Sequence, residues 1–229
     1  MKKKILFIII NLFLTLSTIA VSYYTLSHGT VAGQVDTGAN PGWFYIVTFT
    51  VESNIFLGVV SAVATILGIR SIVLKKSLSR HLSTWYLIAT SSVILTFLTV
   101  VCFLAPIRAM GGRNYFDMLI GPMFFFHFFN PVLAAFALVF LLGHRLKFYD
   151  CYLSILPPAI YSVPYSINVV LLTTWPDFYG FTFGGHYLFV PLVFIAICLF
   201  TFGIATALAS AHNFFLTKST PRTSEKFNH

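Results

Sequence analysis

Long apolar stretches, separated by short polar connections, run through almost the whole chain. A hydrocarbon layer is roughly 30 Å thick, so a helix that crosses it needs about 20 residues at 1.5 Å each. A helix also satisfies its own backbone hydrogen bonds, which a spanning segment requires in lipid. Six stretches meet the length requirement: Ile5–Ser27, Trp43–Ile69, Leu82–Pro106, Met118–Leu142, Tyr152–Trp175 and Tyr187–Phe214.

The pattern therefore predicts an all-α polytopic membrane protein, a bundle of six transmembrane helices. We expect residues 1–216 to form this single transmembrane domain and residues 217–229 to form a polar cytoplasmic tail. Composition supports the prediction, because 58% of the 229 residues are hydrophobic and only 9% are charged. A soluble domain carries roughly 25% charged residues, so a water-soluble globule is excluded.

The distribution of basic residues predicts the orientation of the bundle. Short connections rich in Lys and Arg stay on the cytoplasmic side of a membrane. Of the 14 basic residues, only Arg108 and Arg113 fall on the side opposite to the two ends of the chain. We therefore expect both termini in the cytoplasm and the protein in a cell membrane. The same topology explains the net charge of +8, and no basic and aromatic strip indicates a nucleic-acid partner.

The amino terminus has some features of a secretory signal peptide, because Lys2, Lys3 and Lys4 precede an apolar run. The run continues past Ala20 to Leu26, and no small-x-small site interrupts it. We expect the first span to be retained. The three cysteines lack the C-x-x-C spacing of a zinc or redox site, and we expect neither a metal nor another cofactor.

Prolines are concentrated in the fifth span, at positions 157, 158 and 164. Each removes a backbone donor, so the sequence predicts a kinked or broken helix there. Freed carbonyl groups need partners inside the bundle, which indicates a polar interior or a small cavity beside this span. The alternative is that prolines are simply commoner in membrane helices.

Two ionisable residues lie far from the ends of their spans. Glu52 and His127 are each nine residues inward from the predicted external ends of spans two and four, roughly 14 Å deep. Such groups are unfavourable in lipid unless they face the protein interior or a cavity. We therefore expect the two side chains to meet in a pocket that opens to the outer leaflet. His212, near the internal end of span six, is expected to extend toward the headgroups.

Polar residues around this pair supply the components of nucleophilic catalysis. A threonine or serine hydroxyl could attack, His127 could accept its proton, Glu52 could orient the imidazole, and an amide could stabilise the oxyanion. The candidate nucleophiles are Thr48, Thr50 and Ser53, the candidate amides are Asn54 and Asn130, and Tyr161, Tyr165 and Asn168 of span five are candidate pocket-lining residues. Two alternatives stay open: an interhelical hydrogen-bond network that sets the packing, and a relay for ion or solute passage.

Three stretches carry a resemblance to known proteins: FTVESN (Phe49–Asn54), LTFLTVVCFLAP (Leu95–Pro106) and HFFNP (His127–Pro131). They resemble a family of bacterial six-helix membrane proteins. More remotely, the layout resembles the animal androgen-induced and androgen-dependent membrane proteins, which hydrolyse fatty-acid esters of hydroxy fatty acids with a threonine and a histidine. That resemblance implies Thr48 after Trp43, or Thr50, as the nucleophile and His127 as its partner.

The sequence-based hypothesis is therefore an intramembrane lipid-ester hydrolase with a threonine nucleophile, a histidine base and a pocket open to the outer leaflet. Membrane lipids are its expected partners and a lipid its expected substrate. The alternative is a non-enzymatic membrane protein, either a small-solute or ion carrier or an interaction partner. In that case the Glu52 and His127 network is structural or relays protons.

Overall fold

A computed structural model describes residues 1–28 and 46–219, and every regular element within these ranges is a helix. A short 3-10 helix, Tyr115–Leu119, precedes the fourth long element. The six main helices are α1 (Lys2–His28), α2 (Phe49–Val73), α3 (Arg80–Met110), α4 (Phe125–Leu141), α5 (Phe148–Leu171) and α6 (Phe189–Ser219).

Five of these helices, α1, α2, α3, α5 and α6, are long and apolar enough to cross a membrane. The all-helical prediction is confirmed for the described residues. Helix α4 is shorter than predicted, because residues at its expected start form the 3-10 helix and then a turn at Gly121, where φ is +62°. The predicted start of span two at Trp43 lies outside the described residues, and α6 extends three residues into the predicted tail.

Helix α3 is the central helix of the bundle, since it packs against α2, α4, α5 and α6. Helices α1 and α2 form the most extensive pair, and glycines allow their close approach. A Cβ atom at Gly58 would lie 2.8 Å from Thr18 Cγ2, and one at Gly68 would lie 2.7 Å from Ile8 Cγ1. Small residues bring backbones together in this way in membrane proteins, where packing replaces the hydrophobic effect between helices.

Prolines break or widen three of the helices. A proline lacks the N–H that would bond four residues back, and its ring clashes with that carbonyl, so a wider turn relieves the conflict. A π-helical turn precedes Pro106 in α3 and another precedes Pro131 in α4, as this mechanism predicts. A third, Ser166–Leu171 in α5, follows Pro164 and is not explained by it. Helix α5 is also interrupted between Leu153 and Leu156, which confirms the predicted break.

Both described ends of the chain and two connections meet at one end of the bundle, which we call the basic end. The Lys4 ammonium donates to the Lys76 carbonyl at 2.8 Å, and Arg80 pairs with Asp150 at 3.6 Å. His212 is fully buried there, with Nε2 2.9 Å from the His144 carbonyl oxygen. The expectation that His212 extends toward the headgroups is wrong, because the carbonyls of Val139 in α4 and of His144 in the next connection hold its ring inside the protein.

Candidate functional site

His127 lies in the π-helical turn Phe125–Phe129 at the start of α4, and only 2% of its surface is exposed. Its Nδ1 atom is 2.6 Å from the carbonyl oxygen of Met118, in the 3-10 helix. A carbonyl only accepts hydrogen bonds, so Nδ1 carries the proton. In the neutral ring, Nε2 is then the atom with the free electron pair, which is the arrangement of a general base.

Glu52 is exposed on the surface of α2, whereas His127 is buried. Within the described ranges, no hydrogen bond or ion pair joins the two side chains. The physical reason is helical rotation: neighbouring residues point about 100° apart. Val51 packs against Phe126, and Glu52 therefore faces another direction. The acceptor that orients the imidazole is the Met118 carbonyl oxygen, an atom that sequence patterns do not reveal.

Asn54 connects the first turn of α2, which contains Thr50, to the π-helical turn of α4 that contains His127. Its Nδ2 atom donates to the carbonyl oxygen of Thr50 at 2.8 Å and to that of Phe126 at 3.3 Å. Because both oxygens bond to one nitrogen, they lie within about 6 Å of each other. Phe126 directly precedes His127, so this amide holds the two turns side by side. Both N–H groups of Asn54 are used, which leaves none for the predicted oxyanion contact.

Asn130 extends this connection to a third helix. Its Nδ2 atom donates to Asn54 Oδ1 at 3.4 Å, and its own Oδ1 accepts from Ser17 of α1 at 2.9 Å. Thr18 of α1 also donates to the Asn54 carbonyl at 3.4 Å. The predicted interhelical network thus contains the two asparagines, and it joins α1, α2 and α4. Neither the Glu52 carboxylate nor the His127 imidazole forms a hydrogen bond within it.

The candidate nucleophiles are all buried near the start of α2. Thr48 is 2% exposed, and its carbonyl oxygen accepts the N–H groups of Val51 and Glu52 at 3.0 Å each. Thr50 lines a cavity of about 30 Å³ between α2, α3, α5 and α6. Ser53 forms a 3.1 Å hydrogen bond with Thr96, so its hydroxyl is engaged. Among the described contacts, no hydrogen bond joins Thr50 to His127.

Two tyrosines form the opposite wall of this cavity. Tyr161 donates to the Val47 carbonyl at 3.1 Å. The Tyr179 hydroxyl lies beside Thr50 and Tyr161 without a well-aligned hydrogen bond, and burial raises the pKa of Tyr179 to about 12. The space is large enough for one water molecule, but its lining is almost entirely apolar. The small cavity predicted beside span five is present.

The other predicted pocket residues of span five hold the loop between α5 and α6 instead of lining the cavity. Asn168 donates to the Pro164 carbonyl at 2.8 Å and accepts from Thr174 at 2.8 Å. The hydroxyl of Tyr165 donates to Asp177. Of the predicted stripe, Tyr161 alone lines the cavity.

Asp177 accepts the hydrogen bonds that hold this loop together, and it is not among the residues predicted from the sequence. Its carboxylate accepts the N–H groups of Phe181 at 2.9 Å and Thr182 at 2.7 Å, in addition to the Tyr165 hydroxyl. Burial alone would raise the pKa of Asp177, but these hydrogen bonds outweigh it and hold the pKa below its usual value. An aspartate after Pro176 and before Gly180 is a recognisable turn signal, because short acidic side chains bond nearby backbone N–H groups.

The part of the chain that the structure describes contains no group of three or more His, Cys, Asp or Glu side chains that could hold a metal ion. No protein-family model, curated protein or solved structure matches this chain. Function must therefore be inferred from the chemistry of the site itself.

Proposed function

We propose that this protein hydrolyses a lipid ester within the membrane, with His127 as the general base and Thr48 or Thr50 as the nucleophile. One observation carries the proposal: His127 is buried, and its Nδ1 proton is donated to the Met118 carbonyl. The preceding residue, Phe126, and Thr50 both accept hydrogen bonds from the Asn54 amide through their carbonyl oxygens. A buried imidazole oriented by a second group is the arrangement that activates a hydroxyl nucleophile. The backbone carbonyl has the orienting role that an aspartate has in many hydrolases.

The reaction would proceed in two stages. The threonine Oγ1 attacks the ester carbonyl carbon, its proton moves to His127 Nε2, and the alcohol leaves with that proton. Water then attacks the acyl-threonine, again delivering a proton to Nε2, which returns it to the threonine as the fatty acid leaves. This chemistry needs a hydroxyl oxygen about 2.6–3.2 Å from Nε2, a contact that often forms only when substrate binds.

The contacts assign the remaining roles to the two asparagines. Both N–H groups of Asn54 are bonded to carbonyl oxygens, so Asn54 positions the turns. Asn130 uses one Nδ2 proton, at 3.4 Å, and its second N–H is the better candidate for the oxyanion. The proposal gives the exposed Glu52 no part in orienting His127.

The membrane setting supports a lipid substrate. We propose that α4, with the 3-10 helix before it, completes six spans, and that the basic end faces the cytoplasm. The His127 turn begins α4, whose last residue, Leu141, lies near the basic end. The site would then lie in the outer half of a cell membrane, where acyl esters are the abundant hydrolysable groups.

Labelling with a fluorophosphonate probe tests this assignment on the purified, full-length protein in detergent. Labelling should be lost in His127→Asn and in the double variant Thr48→Val/Thr50→Val. It should persist in Glu52→Gln and in Thr65→Val, a matched control whose buried hydroxyl bonds only its own helix, at 2.9 Å to Ser61. Labelling that survives His127→Asn would overturn the proposal. Failure of the folded wild type to react would favour the non-enzymatic alternative.

A further inference from the structure

A groove opens on the side of the bundle where α4 lies between α1 and α6. Both α1 and α6 pack against α4, but α4 ends at Leu141 while α6 continues to Ser219. The space beyond the shorter helix is a groove of about 760 Å³ next to the basic end. The groove exists because α4 ends before α6 does. None of the residues of the His127 site lines it.

Two lysines stand at this groove, one from each end of the described chain. Lys3 lies in the first turn of α1 and Lys218 is close to the end of α6, and both are exposed. The Lys218 ammonium lies 4.3 Å from the centre of the Phe214 ring, which is next to the groove residue Phe215 in the chain. Neither lysine forms an ion pair with a described residue, and no acidic side chain lines the groove.

The walls of the groove are apolar and aromatic. The Phe140 ring lies 5.2 Å from Phe136 and 4.8 Å from Phe215, so three rings form a continuous surface from α4 to α6. Leu6 of α1 lies on the opposite side. A surface of this kind accepts a hydrocarbon chain, and the lysines at its edge attract a negative group.

We propose that this groove binds an anionic phospholipid of the leaflet at the basic end. The phosphate lies between Lys3 and Lys218, and an acyl chain packs along Phe140 and Phe215. A zwitterionic lipid carries its own cationic group beside the phosphate and adds no net negative charge to offset the two lysines, which is the reason for preferring an anionic one. The site does not depend on the proposed hydrolase activity.

Native mass spectrometry of the full-length protein in neutral detergent measures this preference with phosphatidylglycerol and phosphatidylcholine as probes. Each lysine near an anionic group contributes roughly a fivefold gain in affinity, so Lys3→Gln/Lys218→Gln should weaken phosphatidylglycerol binding about 25-fold. Phosphatidylcholine binding should barely change. The matched control, Lys75→Gln/Lys76→Gln, removes the same charge from an exposed connection at the same end.

A second variant blocks the groove without changing its charge. Gly143 lines the groove, and a Cβ atom there would meet nothing within 4 Å, so Gly143→Phe can fill the space without a backbone clash. It should reduce phosphatidylglycerol binding at least tenfold, whereas Gly203→Phe, at an equally open position of α6, should not. Equal losses in the two lysine pairs, or wild-type binding in Gly143→Phe, would overturn the proposal, as would equal affinity for the two lipids.

Discussion

The imidazole Nδ1 atom of His127 lies 2.6 Å from the carbonyl oxygen of Met118. This contact joins the π-helical turn of α4 to the 3-10 helix before it, and it determines which ring nitrogen can accept a proton. Pro131 lies four residues after His127 and cannot donate to the His127 carbonyl, which explains why the helix widens at this position. The widened turn thus places the histidine, and the Met118 contact fixes its tautomer.

Substitutions at His127 should separate its structural role from its chemical one. The amide of an asparagine reaches approximately as far as Nδ1, so His127→Asn can still donate to Met118 but has no equivalent of Nε2. We expect His127→Asn to keep most of the wild-type thermal stability in detergent. His127→Ala leaves the buried carbonyl unpaired and should lose about 1–3 kcal/mol. Equal destabilisation by the two variants would contradict the assigned hydrogen bond.

The contact between Asn54 and Asn130 should be measurable as a coupling free energy. A double-mutant cycle with Asn54→Ala and Asn130→Ala should give about 0.5–1.5 kcal/mol, the range for polar contacts between membrane helices. Asn11 provides a control, since its amide donates to Phe7 of its own helix, at 2.8 Å, and forms no hydrogen bond with Asn130 among the described residues. A cycle that pairs Asn11→Ala with Asn130→Ala should show no coupling beyond about 0.3 kcal/mol.

Topology can be tested by labelling single cysteines in a variant that lacks the three native ones. An impermeant maleimide added to intact cells should label Arg113→Cys, which lies in the exposed connection after α3. Ser77→Cys, in the exposed connection before α3, should react only after permeabilisation. Labelling of both positions from the same side would contradict a crossing by α3.

Acid should loosen the loop between α5 and α6 that Asp177 holds. The pKa of Asp177 is depressed in the folded protein, so its stabilising contacts are complete above the ordinary aspartate pKa of about 3.9 and are lost as the pH falls through the lower folded value. In a variant in which Trp43 and Trp85 are replaced by phenylalanine, the fluorescence of Trp175 should report this transition. Asp177→Asn should remove the acid transition, whereas Asp117→Asn should leave it in place.

The sequence was sufficient to predict the helical class, because the length of each apolar stretch directly reflects the thickness of a membrane. Prolines at 157, 158 and 164 likewise predicted the break in α5, since a missing N–H is a local property. The predicted start of α4 and the predicted end of α5 were less accurate. The turn at Gly121 delays the start of α4, and α5 ends at Leu171, before the predicted Trp175, because turn conformation and helix packing decide where such ends lie.

Pairing between helices could not be predicted, because helical rotation depends on the packing of whole surfaces. Glu52 and His127 were assigned a common depth, yet one is exposed and the other buried. Asn54 and Asn130 do meet, as the network alternative anticipated. The Met118 carbonyl could not be identified in advance, since every residue carries a carbonyl and only the fold determines which one reaches the ring.

Ester hydrolysis in proteoliposomes tests the central claim most directly. With 4-nitrophenyl decanoate as substrate, the wild type should release nitrophenol, and His127→Asn should be slower by about 100-fold or more, the usual loss when a general base is removed. Thr65→Val should match the wild type. A folded His127→Asn protein that hydrolyses the ester at the wild-type rate would contradict a catalytic role for this histidine.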